Sequence, residues 1–229
     1  MKSIVFSVVF VIGLVQVNTA EVQMKTLKRV TRQAMSFTEN QYIQPIVSKI
    51  ILHCKANHLS ADGAQKLQKL YDDMISCRSK LTLFSIPKDE YLDKVKACSK
   101  EAFAQSVNCL PEELKHLPEL ANSWMTSVPA YLYDHKKAIG APETVRCLNR
   151  FRETDVEYAY LGCTLSVAFE NVQPSGVIST DEQFCGTYVK ALKCLPKTIN
   201  KYCADDESVK NTFAGLIEAA TEPCKIYLK

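Results

Sequence analysis

Residues 181–203 read DEQFCGTYVKALKCLPKTINKYC, and this stretch shows best how the chain is built. Phe184, Tyr188 and Leu192 recur every four residues, which is the spacing of one buried face on an α-helix. The preceding segment Ser179–Glu182 has the composition of a capping box, which marks a helix start. The stretch also contains Cys185, Cys194 and Cys203, with eight residues between each pair of neighbours. It therefore predicts a helix that disulfides attach to its neighbours.

The chain contains an even number of cysteines, all of them after residue 53. Cys185 and Cys194 would lie on opposite sides of one helix, about 13.5 Å apart along its axis. A disulfide needs Cα atoms within about 7 Å, so these two cysteines cannot bond to each other. We expect a Cys203–Cys224 bond and leave the other pairings open. The predicted disulfide cysteines are Cys54, Cys77, Cys98, Cys109, Cys147, Cys163, Cys185, Cys194, Cys203 and Cys224.

The rest of the chain also has a helical pattern. It has only seven glycines, and no run alternates as a half-buried strand does. Helix starts are expected after Ser60, after Pro87 and within Asp205–Glu207, and a loop is expected at Asn171–Gly176. Helix ends are expected at Pro111, Pro118, Pro129, Pro142 and Pro196. We therefore predict an all-α, disulfide-stapled helical bundle.

The cysteine spacing contains an internal echo. Three cysteines recur some 86 residues later, as Cys77, Cys98 and Cys109 and then Cys163, Cys185 and Cys194. Both Cys109 and Cys194 begin a Cys-Leu-Pro triplet, and Cys54 with Cys147 extends the match loosely. The echo indicates two related helical units packed together, unless it is a coincidence among ten cysteines. We assign residues 21–50 to an N-terminal helical lead-in and 51–224 to a cysteine-rich helical domain, with candidate units 51–138 and 139–229.

Residues 1–20 have the pattern of a secretory signal peptide: Lys2, an apolar run from Ile4 to Val15, and Ala20 at the cleavage point. The apolar run is shorter than the roughly 20 residues that a membrane-spanning helix needs. We therefore expect a secreted, extracellular protein without a membrane span. Removal of the signal leaves a net charge of +2 with both signs interspersed. This charge balance favours neither nucleic acid nor an anionic membrane as a partner.

Metal sites find little support. His53, Cys54 and His58 are close in sequence, but zinc needs thiolates and these cysteines are expected to be oxidised. Acidic groups occur at Asp72–Asp73 and Asp205–Glu207, without the glycine and alternating oxygen ligands of a calcium loop. Acids at a helix start are accounted for by capping and the helix dipole. We expect no metal and no cofactor.

Catalytic motifs are also missing. The chain has no Gly-x-Ser-x-Gly and no glycine-rich phosphate loop. Its four histidines are His53, His58, His116 and His135, and only His135 follows an acid, Asp134. Secreted phospholipases, which are helical and rich in disulfides, would need a Cys-Cys pair and a His-Asp step. We therefore predict that the protein is not an enzyme.

Aromatic residues cluster at Tyr131 and Tyr133 and again at Tyr158 and Tyr160, and Trp124 is the only tryptophan. They can line a pocket for an apolar ligand, with tyrosine hydroxyls holding its polar end. The alternative is that they complete a helical core. No Asn-x-Ser/Thr sequence is present, so N-linked sugar is not expected.

The order Cys54-x22-Cys77, then Cys98 and Cys109, with the closing run Cys185-x8-Cys194-x8-Cys203-x20-Cys224, resembles the insect 27 kDa haemolymph glycoprotein family. The resemblance covers about residues 50–224. It implies a small secreted helical protein of body fluid without an assigned activity, and it carries over no catalytic residue. The glycosylation sites of the family's name are absent here. Insect odorant-binding proteins share a Cys-x8-Cys, but they also use a Cys-x3-Cys that this chain lacks.

These observations lead to two functional hypotheses. The first is a secreted, non-enzymatic binding or carrier protein of body fluid for a small apolar ligand. The alternative is a secreted immune, salivary or reproductive effector that acts on an extracellular protein partner. An exposed apolar patch favours the effector, whereas an enclosed cavity favours the carrier.

Overall fold

The structure, a computed structural model, describes residues 44–56, 60–151, 153–171, 181–203 and 206–228. These ranges are helical and contain no strand, so the predicted all-α, disulfide-stapled fold is confirmed. The chain divides into an N-terminal unit that ends at Tyr133 and a C-terminal unit that begins at Asp134. The predicted signal peptide, positions 21–43 of the lead-in, His58, and the predicted loop after Asn171 lie outside the described residues. The relatedness of the two units stays a prediction.

The N-terminal unit contains four helices and one 3-10 turn. They are α1 (Gln44–Ala56), α2 (Ala61–Ser79), α3 (Lys88–Cys109), the turn Glu112–Leu114, and α4 (Leu117–Asp134). Helices α2 and α3 form an antiparallel hairpin, and α1 packs against both. One face of α3 is buried at the helical repeat, through Tyr91, Val95, Ser99, Ala102, Phe103 and Ser106. Burial of this face holds the hairpin together.

The connection between α2 and α3 is held by a tyrosine from α4. The Tyr133 hydroxyl accepts a hydrogen bond from the Phe84 amide and donates one to the Ile86 carbonyl, both at 2.9 Å. Phe84 has φ 64°, in the left-handed region that a residue with a Cβ rarely adopts. Its ring also packs edge-on against Tyr133, with 5.0 Å between centroids. These contacts offset the backbone strain at Phe84.

The C-terminal unit is built from shorter helices. They are α5 (Lys136–Ile139), α6 (Pro142–Arg150), α7 (Thr154–Asn171), α8 (Asp181–Leu192), α9 (Cys194–Tyr202), α10 (Glu207–Thr221) and a closing 3-10 turn (Glu222–Tyr227). Helix α7 packs against α8 and α9, and the closing turn packs against α8 and α10. The core cluster contains Cys147, Phe151, Val156, Ile199, Val209 and Phe213. Its members come from α6, α7, α9, α10 and the residue after α6, so it joins four helices.

The sequence located helix starts better than helix ends. Ser60 caps α2 by accepting a hydrogen bond from the Gly63 amide, Pro87 precedes α3, and Asp206 caps α10. The capping box at Ser179–Thr180 lies outside the described residues, although α8 begins at Asp181, directly after it.

Of the five prolines predicted to end helices, Pro111 and Pro142 follow helix ends, at Cys109 and Ile139. Pro118, Pro142 and Pro196 lie in the first turns of α4, α6 and α9, and Pro129 lies inside α4. At Pro118 and Pro196 the prediction was wrong because the first amides of a helix have no acceptor within it, so a proline there removes no hydrogen bond. At Pro129 the helix continues through the buried residues Met125, Val128 and Leu132.

All ten cysteines lie in the described ranges, and all are bonded. The bonds are Cys54–Cys109, Cys77–Cys98, Cys147–Cys203, Cys163–Cys194 and Cys185–Cys224. The exclusion of Cys185–Cys194 is confirmed. The expected Cys203–Cys224 bond was wrong, because α9 packs on α6 and brings Cys203 to Cys147, while the closing turn packs on α8 and brings Cys224 to Cys185.

Candidate functional site

Helices α8 and α9 carry a row of lysines that we call the lysine row, formed by Lys190, Lys193, Lys197 and Lys201. Residues 183–204 contain these four cations and no Asp or Glu. All four side chains are exposed. Spacings of three, four and four residues keep them within a sector of about 80° on a continuous helix. The row therefore places four exposed cations within twelve residues of the C-terminal unit.

The buried residues of the same helices fix the direction of the row. Tyr188 and Leu192 of α8 and Thr198 and Ile199 of α9 are buried, so the lysines are left on the solvent side. Lys193, between the helices, has φ −66° and ψ −12°, in the right-handed region. Two disulfides, Cys163–Cys194 and Cys185–Cys224, attach this segment to α7 and to the closing turn. These two disulfides therefore hold in place the helices that carry the lysine row.

The end of the lysine row is reinforced by contacts around Tyr202. The Lys201 ammonium lies 4.9 Å from the centroid of the Tyr202 ring, within range of a cation–π interaction. Arg150 of α6 donates a hydrogen bond to the Tyr202 carbonyl, which caps the last turn of α9. Arg150 is also 3.9 Å from Glu153, so its charge is partly balanced. The four lysines add exposed cations to this surface.

Helix α7 presents a second, chemically different surface. Residues 158–169 contain no charged side chain. Tyr158 is 68% exposed and Leu165, seven residues later on the same face, is 47% exposed. Between them lies Gly162, where an added Cβ would meet no atom within 4 Å. We call Tyr158, Gly162 and Leu165 the apolar face of α7.

The buried side of α7 explains why these residues remain outside. Val156 and Tyr160 face the core of the C-terminal unit, where the Tyr160 ring lies edge-on to Phe151 with 6.4 Å between centroids. Burial raises the pKa of Tyr160 to about 12. Cys163 bonds to Cys194 of α9. With these positions held inward, the helical repeat leaves Tyr158 and Leu165 in solvent.

The aromatic residues singled out in the sequence do not form one cluster. Trp124 is fully buried, and the Tyr133 hydroxyl is hydrogen-bonded to the α2–α3 connection. Tyr131 is half-buried, and partial burial raises its pKa. Tyr160 is a core residue of the other unit, and Tyr158 is exposed. Most of them therefore have structural roles, and Tyr158 is the one left on the surface.

Two buried tyrosines outside the aromatic clusters noted in the sequence hold helices together. Tyr71 of α2 lies 2.8 Å from the Ser106 hydroxyl of α3. Burial raises the pKa of Tyr71 to about 12, and the bond to Ser106 opposes that rise. Tyr188 of α8 donates a hydrogen bond of 2.9 Å to the Ala220 carbonyl of α10, and burial raises its pKa strongly. Both hydroxyls are structural.

The residues weighed as metal or catalytic candidates are not assembled into a site. Cys54 is bonded to Cys109, so it has no thiolate for zinc next to His53. Asp134 and His135 are both exposed at the end of α4. Asp206 caps α10, and Asp72 accepts a hydrogen bond from Gln68 on the surface of α2. Within the described ranges, no group of three or more His, Cys, Asp or Glu residues could hold a metal ion.

The sequence did contain the signal for the lysine row. Acidic and basic residues are interspersed over the chain as a whole, but the 22 residues 183–204 contain no acid. The exposure of the row depends on which face of α8 and α9 is buried, and spacing alone does not establish that. No helix in the part of the chain that the structure describes is long and apolar enough to cross a membrane.

Comparison with known proteins identifies no relative. No family model matches the chain, no curated protein matches it, and no solved structure matches its fold. The resemblance to the 27 kDa haemolymph glycoproteins therefore stays an expectation from cysteine spacing.

Proposed function

We propose that the protein is a secreted, non-enzymatic binding protein of body fluid that acts by surface contact with an extracellular protein partner. The apolar face of α7 is the observation that carries this proposal. The five disulfides and the signal-like N-terminus support the extracellular location, because disulfides persist in oxidising compartments.

A protein partner fits the chemistry of the α7 face. A large exposed tyrosine offers apolar area and a hydrogen-bonding hydroxyl at low entropic cost, and such residues are enriched at binding hot spots. Gly162 leaves open space between Tyr158 and Leu165 in which a side chain of the partner can lie. The Cys163–Cys194 bond holds the helix beneath, so little ordering is needed on binding.

The test compares two double variants. The variant Y158S/L165S removes the exposed apolar groups of α7, and L52S/V107S removes the exposed Leu52 and Val107 of the N-terminal unit as a matched control. Immobilised wild-type protein and both variants are incubated with the extracellular fluid of the source organism, and bound proteins are quantified by mass spectrometry. We expect one protein to be enriched by the wild type and the control, and to fall at least about tenfold with Y158S/L165S.

Equal enrichment by all three proteins would contradict the role of α7, as would loss of the partner with the control alone. Circular dichroism spectra of the variants check that each retains its helices.

The second candidate is a carrier of a small apolar ligand, as the sequence first suggested. The charge-free run of α7 favours it, because the same apolar surface with a tyrosine hydroxyl at one end suits an amphipathic small molecule. Native mass spectrometry of protein purified from its source would then show a co-purifying ligand, and fluorescent lipid probes would bind and be displaced. Absence of both signals would reject the carrier and leave the protein-partner proposal standing.

A further inference from the structure

We propose that the lysine row binds a linear, sulfated polysaccharide, which lies along α8 and α9. This inference concerns a different surface and a different ligand chemistry from the α7 face. It shares with the proposed function only the extracellular location, where such polymers occur.

The geometry of the row matches a linear ligand. The four lysines are spaced three, four and four residues apart over two consecutive helices, so each turn carries about one cation. A sulfated polysaccharide carries anionic groups along its whole length, so one chain meets all four ammonium groups at once. Each contact releases condensed counterions from the polymer, and the contributions accumulate along the row.

The local charge balance distinguishes this row from other exposed lysines. In α2, Lys66 and Lys69 stand among Asp62, Asp72 and Asp73. In α3, Lys96 and Lys100 stand among Asp93 and Glu101. Acids at these spacings lower the local potential and repel a polyanion. Segment 183–204 contains no acid, and the nearest acids along the chain are Glu182 and Asp205.

The surroundings of the row favour a polysaccharide over a membrane. No large apolar side chain is exposed in the described part of that segment, so nothing beside the lysines would enter a bilayer. Exposed Asn200, next to Lys201, adds an amide that can hydrogen-bond to sugar hydroxyls. Lysine ammonium groups act as point charges that adapt to sulfates at varying positions along a chain.

The experiment uses heparin as the sulfated polymer and two charge-matched variants. K190Q/K193Q/K197Q/K201Q removes the row, and K66Q/K69Q/K96Q/K100Q removes the same charge from exposed sites in the N-terminal unit. Binding is measured by isothermal titration at several salt concentrations, with circular dichroism to verify folding. We expect the wild type and the control to bind heparin. We expect the row variant to lose at least about tenfold in affinity, with its salt slope reduced by about three.

Three further probes test the class of ligand: desulfated heparin, polyglutamate, and vesicles containing phosphatidylserine. Weak binding of all three relative to heparin supports the proposal. Equal loss of heparin binding in the two variants overturns it, because net charge rather than the row would then be responsible. Failure of the wild type to bind heparin overturns it as well, whether or not vesicles or polyglutamate bind. Neither result depends on the α7 partner, so the two proposals fail independently.

Discussion

Cys147 is bonded to Cys203 across 56 residues, and the loop that this bond closes contains the Cys163–Cys194 bond. The N-terminal unit has the same nested order, because Cys54–Cys109 closes a loop that contains Cys77–Cys98. The nested bonds therefore align Cys109 with Cys203, whereas the Cys-Leu-Pro echo aligns Cys109 with Cys194. The Cys54–Cys109 bond joins α1 to the end of α3, and the Cys147–Cys203 bond joins α6 to the end of α9. Each bond restricts the unfolded chain of its unit.

We predict that the disulfides open in an order set by their exposure. Cys77 is exposed, whereas Cys185 and Cys224 are completely buried. A reducing thiolate must reach a sulfur atom, so Cys77–Cys98 should open first and Cys185–Cys224 last. Limited dithiothreitol treatment, alkylation of the freed cysteines and peptide mass spectrometry will show the order. Early alkylation of Cys185 would contradict it.

The Tyr71–Ser106 pair should couple α2 to α3 energetically. The Tyr71 and Ser106 hydroxyls lie 2.8 Å apart, and the Ser106 hydroxyl is also 2.7 Å from the Ala102 carbonyl. Y71F and S106A should each lower the free energy of unfolding by about 1–3 kcal/mol, with a coupling of about 1 kcal/mol in the double variant. Urea unfolding of the four proteins measures this.

The matched control for that cycle combines S106A with Y188F. Tyr188 lies in the other unit, and its hydroxyl donates a hydrogen bond to the Ala220 carbonyl. These two effects should add, and a coupling as large as that of Tyr71 would show that the cycle reports something other than the hydrogen bond.

Tyr133→Phe should destabilise the connection between α2 and α3. The substitution removes the acceptor of the Phe84 amide and the donor to the Ile86 carbonyl while keeping the ring. We expect a loss of about 1–2 kcal/mol in the free energy of unfolding, measured in urea. Y158F, which removes an exposed hydroxyl, should change stability by less than about 0.5 kcal/mol. Equal effects of the two variants would argue against the role of Tyr133.

Asp206→Asn should make stability less dependent on acidic pH. The Asp206 carboxylate accepts hydrogen bonds from the amides of Val209 and Ser208, and these bonds lower its pKa from the usual 3.8. Its charge therefore stabilises the fold fully above about pH 4, and this contribution is lost as the pH falls through the lowered pKa.

Asparagine retains a capping oxygen, so the substitution removes mainly the charge. The difference in Tm between the two proteins, followed by circular dichroism from pH 7 to pH 2, should be largest at neutral pH and shrink in acid. A difference that stays constant over this range would reject the charge effect.

The structural features that could be predicted from the sequence are those set by neighbouring residues, such as helix starts and buried helix faces. Ser60, Pro87 and Asp206 mark helix starts because a cap acts on amides within three residues of it. The periodicity of Tyr188 and Leu192 correctly indicated their burial. Some prolines were wrongly predicted to end helices because proline, which lacks an amide hydrogen, is found both after helix ends and in the first turn of a helix. Pro142 is the first residue of α6.

The sequence by itself determined that this protein is helical, that its cysteines are even in number, and that Cys185 and Cys194 cannot bond, since each follows from local geometry along one chain. Only the tertiary structure decided that Cys203 meets Cys147 and that Tyr158 and the lysine row face solvent. The physical reason is that helix hydrogen bonds span four residues, whereas disulfide pairing and exposure depend on which helices pack together.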